Sequence, residues 1–159
     1  RGRKQAQTMP KEALAALQKI KFDDTKLAEL KRRTVIMVTN NVIFDNSDLV
    51  KVFEDPKAPP PRMLPANYPF LLKLAQTSNL FLITELPHSG HQNYTAYSEA
   101  VVVPSSDPAA PHGLWVVDRP EATVNEALNK SGVYAAGLGE KHSLYCETHE
   151  GRGYIARAI

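Results

Sequence analysis

A single cysteine, Cys146, leaves the chain without an internal disulfide or a cysteine-based zinc cage. That removes the disulfide-stapled secreted folds and fits a reducing, cytosol-facing location. Long apolar runs are equally scarce. The longest, around residues 35–38 and 79–83, are strand-sized and far short of the roughly 18 residues a membrane-crossing helix needs, so the chain as given reads as soluble. The basic start Arg1-Gly2-Arg3-Lys4 precedes neither an apolar segment nor a small-residue cleavage site, and reads as a solvated tail rather than a secretory signal. Charge of one sign is lacking too: nineteen Lys and Arg against seventeen Asp and Glu give +2, too little for the footprint of a nucleic-acid binder. No P-loop occurs, and Thr39-Asn40-Asn41-Val42 fills the turn where a Gly-x-Gly-x-x-Gly phosphate cradle would lie, so no cofactor is implied. What remains is 159 residues, 43% hydrophobic, enough for one globular core with tails and too few for two.

Residues 11–20 have a helical pattern behind Thr8-Met9-Pro10, with Thr8 as cap, Pro10 in the first turn, and Leu14, Leu17 and Ile20 on one face of a short peripheral helix. Asp23-Asp24-Thr25 opens a second helix through Leu27 and Leu30 to the basic end Lys31-Arg32-Arg33. Residues 1–33 thus read as a tail with peripheral helices, ahead of an α/β domain over 34–159. Thr34-Val35-Ile36-Met37-Val38-Thr39 is β-branched without alternation, the mark of a central parallel strand covered on both faces. Pro56, Pro59, Pro60, Pro61 and Pro65 make residues 54–65 a loop, since proline lacks the amide that helix and sheet require.

Tyr68, Leu71, Leu72 and Ala75 place an apolar stripe on a helix over 66–76, and residues 79–84 form a second buried strand. Residues 87–120 turn polar, a long insertion whose two apolar pieces, 100–103 and 114–117, predict a hairpin. A helix over 122–128 stops at Ser131-Gly132 with a left-handed cap, Ser143-Leu144-Tyr145-Cys146 is a third strand, and residues 151–159 restart a helix with Ile155 and Ile159 on one face. The chain stops inside that helical pattern and reads as a fragment. Strands alternating with helices imply right-handed crossovers and a Rossmann-like parallel sheet with helices on both faces.

Chemistry-bearing groups are sparse. His88 and His91 stand three apart in a polar loop without a third ligand nearby, so no metal site is expected. Cys146 has His142 and His149 as neighbours in sequence, but it ends an apolar strand, where a small buried thiol is the commoner use. Asp23-Asp24 and Asp45-Asn46-Ser47-Asp48 are the residues of caps and turns.

Residues 35–45, Val-Ile-Met-Val-Thr-Asn-Asn-Val-Ile-Phe-Asp, resemble in shape the first motif of haloacid-dehalogenase-like phosphatases, a hydrophobic strand followed by Asp-x-Asp-Gly-Val and a further acid. Val38 falls where the nucleophilic aspartate would stand, Asn40 where the acid/base aspartate would, and Asn41 replaces the glycine. Thr84 after the second strand, Lys141 before the third, and Glu147 echo later parts of that fold. A valine can neither attack phosphorus nor help hold magnesium, so the resemblance implies the outline of a phosphatase used for binding. The alternative is a divergent magnesium-dependent phosphatase using a displaced carboxylate such as Asp45 or Glu147.

The same segments resemble the soluble domain of the peroxisome assembly protein 22 family. Asn41-Val42-Ile43-Phe44-Asp45 is similar to the family's Gly-Val-Ile-Phe followed by an acid, and residues 71–85 are similar to its helix and second strand. Residues 124–134, 141–152 and 156–159 carry the most specific part: a strand ending in Cys146, Thr148 two later, then Gly151-Arg152 opening an Arg-containing helix. The resemblance implies a non-enzymatic anchor and co-activator for a ubiquitin-conjugating enzyme of the peroxin-4 type. That pair would act at the cytosolic face of the peroxisomal or glycosomal membrane in ubiquitination and recycling of import receptors. A membrane segment upstream of Arg1 and a strand beyond Ile159 are expected with it. In open parallel sheets ligands sit beyond the carboxyl ends of the strands where strand order reverses. That crevice would join Phe44, Asp45 and Asn46 to Glu147, Thr148, His149, Glu150, Gly151 and Arg152, the candidate partner-binding residues. The plainer role for Thr148 is to cap the last helix.

Overall fold

The computed structural model describes residues 9–31, 33–55, 57–86, 100–104 and 114–159. Helix α1 (Lys11–Lys19) begins directly after Pro10, whose carbonyl accepts from the amides of Ala13 and Leu14 at 3.0 and 3.1 Å. Pro10 therefore occupies the cap position and not the first turn; the expected cap, Thr8, lies outside the described residues. The inward face also differs from the expectation. Ala13 and Ala16 are buried, while Leu14 is 48% exposed. Helix α2 (Asp24–Leu30) starts as expected, with the Asp23 carboxylate accepting from the amides of Thr25 and Lys26 at 3.0 and 3.2 Å.

Next come β1 (Thr34–Val38), α3 (Asn46–Glu54), α4 (Tyr68–Thr77) and β2 (Asn79–Glu85). After them lie β3 (Ala100–Pro104), β4 (Leu114–Asp118), α5 (Arg119–Ser131) and the single turn α6 (Val133–Ala136). A 3-10 turn (Glu140–His142), β5 (Ser143–Cys146) and α7 (His149–Ala158) complete the chain. The result is a mixed α/β structure on a three-stranded parallel sheet of order β1-β2-β5. Strand β1, expected at the centre, is an edge among the described strands, with Thr34 and Ile36 exposed. The centre belongs to β2, where Leu80, Leu82, Ile83 and Thr84 are all fully buried or nearly so.

Register explains which face is the core. Val35 lies beside Leu80, Met37 beside Leu82 and Thr84 beside Tyr145, so these residues point to one side of the pleat. On that side they meet Leu49 and Phe53 of α3, Leu71 and Leu72 of α4, and Val124 and Leu128 of α5 in one cluster that also takes in Ala13 and Ala16 of α1. Burying side chains of this size, at about 1.5–3 kcal/mol each, is what holds the layers together. Tyr145 is fixed from above: its hydroxyl bonds to the Asn125 side chain, tying β5 to α5.

Helix α5 ends where the sequence places its stop. Gly132 adopts φ +88°, and a Cβ there would come within 2.7 Å of Pro10 Cδ, so the bare glycine both turns the chain and admits the start of α1. The Tyr68 hydroxyl donates to the Ser131 carbonyl at 2.5 Å at the same junction. The proline-rich stretch is tied down beside the end of β1. Leu64 donates its amide to the Ile43 carbonyl at 2.7 Å, and Arg62 gives Asp48 its backbone amide at 2.9 Å and its Nε at 2.8 Å. Within the insertion β3 and β4 pair antiparallel, Val102 opposite Val116, as the expected hairpin, and lie against α5. Residues 87–99 and 105–113, with His88 and His91, lie outside the described residues. No helix among the described residues is long and apolar enough to cross a membrane.

Candidate functional site at the carboxyl ends of the strands

Strands β1, β2 and β5 run the same way, so the loops that follow them lie along one edge of the sheet. After β1 the chain turns tightly. The Thr39 carbonyl accepts from the amides of Val42, Ile43 and Phe44 at 3.1, 2.8 and 3.0 Å, and Asn41 sits at φ +58°. Asparagine is one of the few residues that tolerates this left-handed region, which is why it can stand where a glycine otherwise would. Its side-chain oxygen accepts from the Asn46 amide at 2.9 Å. Asp45 then caps α3, accepting from the Ser47 amide at 2.9 Å and hydroxyl at 2.6 Å. Those two bonds, the hydroxyl's first, hold its carboxyl below the usual carboxylate range.

The joint between β1 and β2 is made by Asn40. Its Nδ2 donates to the Glu85 carbonyl at 2.8 Å and to Asn46 Oδ1 at 2.9 Å, while its Oδ1 accepts from the Glu85 amide at 2.8 Å. The amide group acts as one more peptide unit of the ladder, donor and acceptor in the same plane. Beneath it the hydroxyls of Thr39 and Thr84, both fully buried, share a 2.7 Å hydrogen bond.

On the other side of β2, Thr148 caps α7, its Oγ1 accepting from the Gly151 amide at 3.0 Å. Gly151 presses the helix onto β5, since a Cβ there would lie 3.2 Å from Cys146 Cβ. The Glu85 carboxylate, 16% exposed, faces this helix. His149 Nδ1 lies 3.0 Å and Arg152 Nε 3.8 Å from its Oε1, and Arg152 Nη2 lies 2.5 Å from the same imidazole nitrogen. Burial, and then the Glu85 charge, push the Cys146 thiol up, which leaves it less thiolate than a free cysteine.

The two expected loops therefore flank the end of β2, and not at a reversal of strand order. Among the described strands the order is sequential, and β2 stands between β1 and β5. Glu85 bridges them, through its backbone to Asn40 and through its carboxylate to His149 and Arg152. Of the candidate residues, Glu147, Thr148 and Glu150 are exposed, and Asp45, Asn46, Gly151 and Arg152 are half-buried at the rim. Phe44 is fully buried in the core cluster, so its side chain cannot face a partner. The apolar Ile43-Phe44 pair packs inward because both flank a turn closed over the sheet edge. Thr84 and Lys141, the other echoes of a phosphatase, do not meet: Lys141 belongs to the turn before β5, at the opposite end of that strand from Thr148.

Sequence reasoning left Asn40 and Glu85 out of the set. The available signal was the polar Thr84-Glu85 pair closing an apolar strand and the Asn pair closing the other. Among the described residues no three His, Cys, Asp or Glu side chains gather as a metal site. No protein-family model and no curated protein matches the chain.

Proposed function

We propose that the chain is a non-enzymatic binding module of the peroxisome assembly protein 22 type. It recruits, anchors and activates a ubiquitin-conjugating enzyme of the peroxin-4 type at the cytosolic face of the peroxisomal or glycosomal membrane, for ubiquitination and recycling of import receptors. Its sheet is Rossmann-like in this reading, with the outline of a dehalogenase that has lost its acids. The observation that carries the reading is the Asn40 joint. The position aligned with a dehalogenase acid/base holds an amide whose donor side is committed to the Glu85 carbonyl and Asn46, a task a carboxylate cannot perform. Asn41 in the left-handed region, where the phosphatase motif has glycine, supports the same outline. The exposed rim of Glu147, Thr148 and Glu150 is the face offered to the partner.

Isothermal titration of the purified chain with a purified peroxin-4-type enzyme tests this. Saturable binding that Glu147→Arg weakens, with no thioester formed on the chain, is the expected result. No heat of binding at ~100 μM of each protein overturns it. Magnesium-dependent release of phosphate from an aryl phosphate would replace it with the phosphatase reading.

A further inference from the structure

Helix α7 has ten residues, none of them fully buried. Gly151 presses on Cys146 and Arg152 reaches Glu85, which fixes the inward side. At about 100° per residue the opposite side is the stripe Glu150, Gly153, Tyr154 and Arg157, with His149 at its edge and turned to Glu85. These five residues line a shallow groove of about 380 Å³. Tyr154 is 68% exposed, and the Arg157 guanidinium lies 5.0 Å over its ring. Tyrosine and arginine are the side chains most often found carrying the energy of protein interfaces.

We propose that this stripe is a self-complementary surface on which a second copy of the chain docks, α7 against α7, antiparallel across a two-fold axis. The order of residues selects that occupant. Glu150 and Arg157 stand symmetrically about the Gly153-Tyr154 step. In an antiparallel pair each Glu150 falls opposite Arg157 of the second copy, whose guanidinium lies over Gly153 and the Tyr154 ring of its own helix, every contact occurring twice. A parallel pair would set like charges together, and a partner face of one sign would be repelled by either Glu150 or Arg157. A ten-residue helix is about 15 Å long and buries roughly 700 Å² in such a pair, below the ~1,200 Å² of a stable complex. The dimer therefore belongs to the weak, transient class of interfaces. It does not depend on the proposed function above.

Sedimentation velocity of the chain from ~10 μM to ~1 mM reads the association directly, with far-UV circular dichroism confirming that each variant is folded. The wild type should show a mass rising with concentration, and Glu150→Arg and Arg157→Glu alone should each weaken pairing about tenfold or more. An equimolar mixture of those two single variants restores both ion pairs and should associate within about threefold of wild type. If either charge variant fails to fold, Tyr154→Ala replaces it and should weaken pairing by a similar factor. A wild type that stays monomeric at ~1 mM, single variants that pair undiminished, or a mixture no better than its components overturns the proposal.

Discussion

Substituting Asn40→Asp changes one nitrogen to oxygen and tests what the joint between β1 and β2 is for. In the wild type the side chain makes three hydrogen bonds of 2.8–2.9 Å, two donated and one accepted. The substitution keeps the accepted bond from the Glu85 amide and removes both donors. Asn46 can turn its own amide over and offer Nδ2 to the new oxygen, which spares that contact. The Glu85 carbonyl has no such recourse. It loses its donor and faces a negative oxygen at hydrogen-bond distance, at a cost of about 1–3 kcal/mol for the unsatisfied group, plus repulsion. A net loss of roughly 2–3 kcal/mol follows, which for a chain of this size lowers the melting temperature by roughly 5–10 °C.

Urea unfolding followed by circular dichroism at pH 7 measures it. The pH dependence carries the sign. The introduced carboxyl is disfavoured when charged, so its folded value is raised above the ordinary one of about 3.9. The penalty is complete above the folded value, shrinks as pH falls through it, and is gone below the ordinary one, where the protonated group can again donate. The gap between wild type and variant should therefore narrow as pH falls from 7 to 4. A variant within ~0.5 kcal/mol of wild type at pH 7, or a gap that widens toward acid, refutes the account of the joint.

Two further outcomes test the frame around the site. Gly132→Ala places a Cβ at φ +88° and within 2.7 Å of Pro10 Cδ, so a loss of about 2–3 kcal/mol is expected in thermal unfolding; an unchanged melting temperature would mean that α1 does not dock there. The Asp48 carboxyl is held below the usual range, first by its side-chain bond with Arg62, so the stability it contributes is present above the ordinary carboxylate value and lost as pH falls through the lowered one. Carbon-13 titration of Asp48 should give a midpoint below about 3.9 that rises toward it in Arg62→Ala, and a wild-type midpoint at or above that value counts against the tie.

Helix α4 and strand β2 were legible because their signals are local. Leu71, Leu72 and Ala75 recur at helical spacing, and all three are buried as that spacing requires. Residues 79–83 are too short and too apolar for anything but a covered strand. The place of β1 in the sheet was not legible, because a β-branched run fits a centre or an edge alike, and only pairing with residues some 45 positions away decides between them. For α1 the failure is one of size. Leucines 14 and 17 advertise one stripe and alanines 13 and 16 another, rotated by about one residue, and the helix settles on the small side chains because they admit closer approach to α4.

At the site, caps were easier to read than bridges. Asp45, Thr148 and the turn at Asn41 are short-range devices whose residue types announce them, and each does locally what its type allows. Glu85 is different. At the end of a strand an acid looks solvated in sequence, and its role comes from Asn40 on one side and from His149 and Arg152 on the other, 45 residues before it and some 64 to 67 after. Asn40 marks the limit of reading by alignment. A carboxylate in its place would be equipped to move protons, and an amide is equipped to tie two strands. The letter in the sequence says which atom is present, and only the carbonyl of Glu85 and the side chain of Asn46, each within 2.9 Å, say what that atom holds.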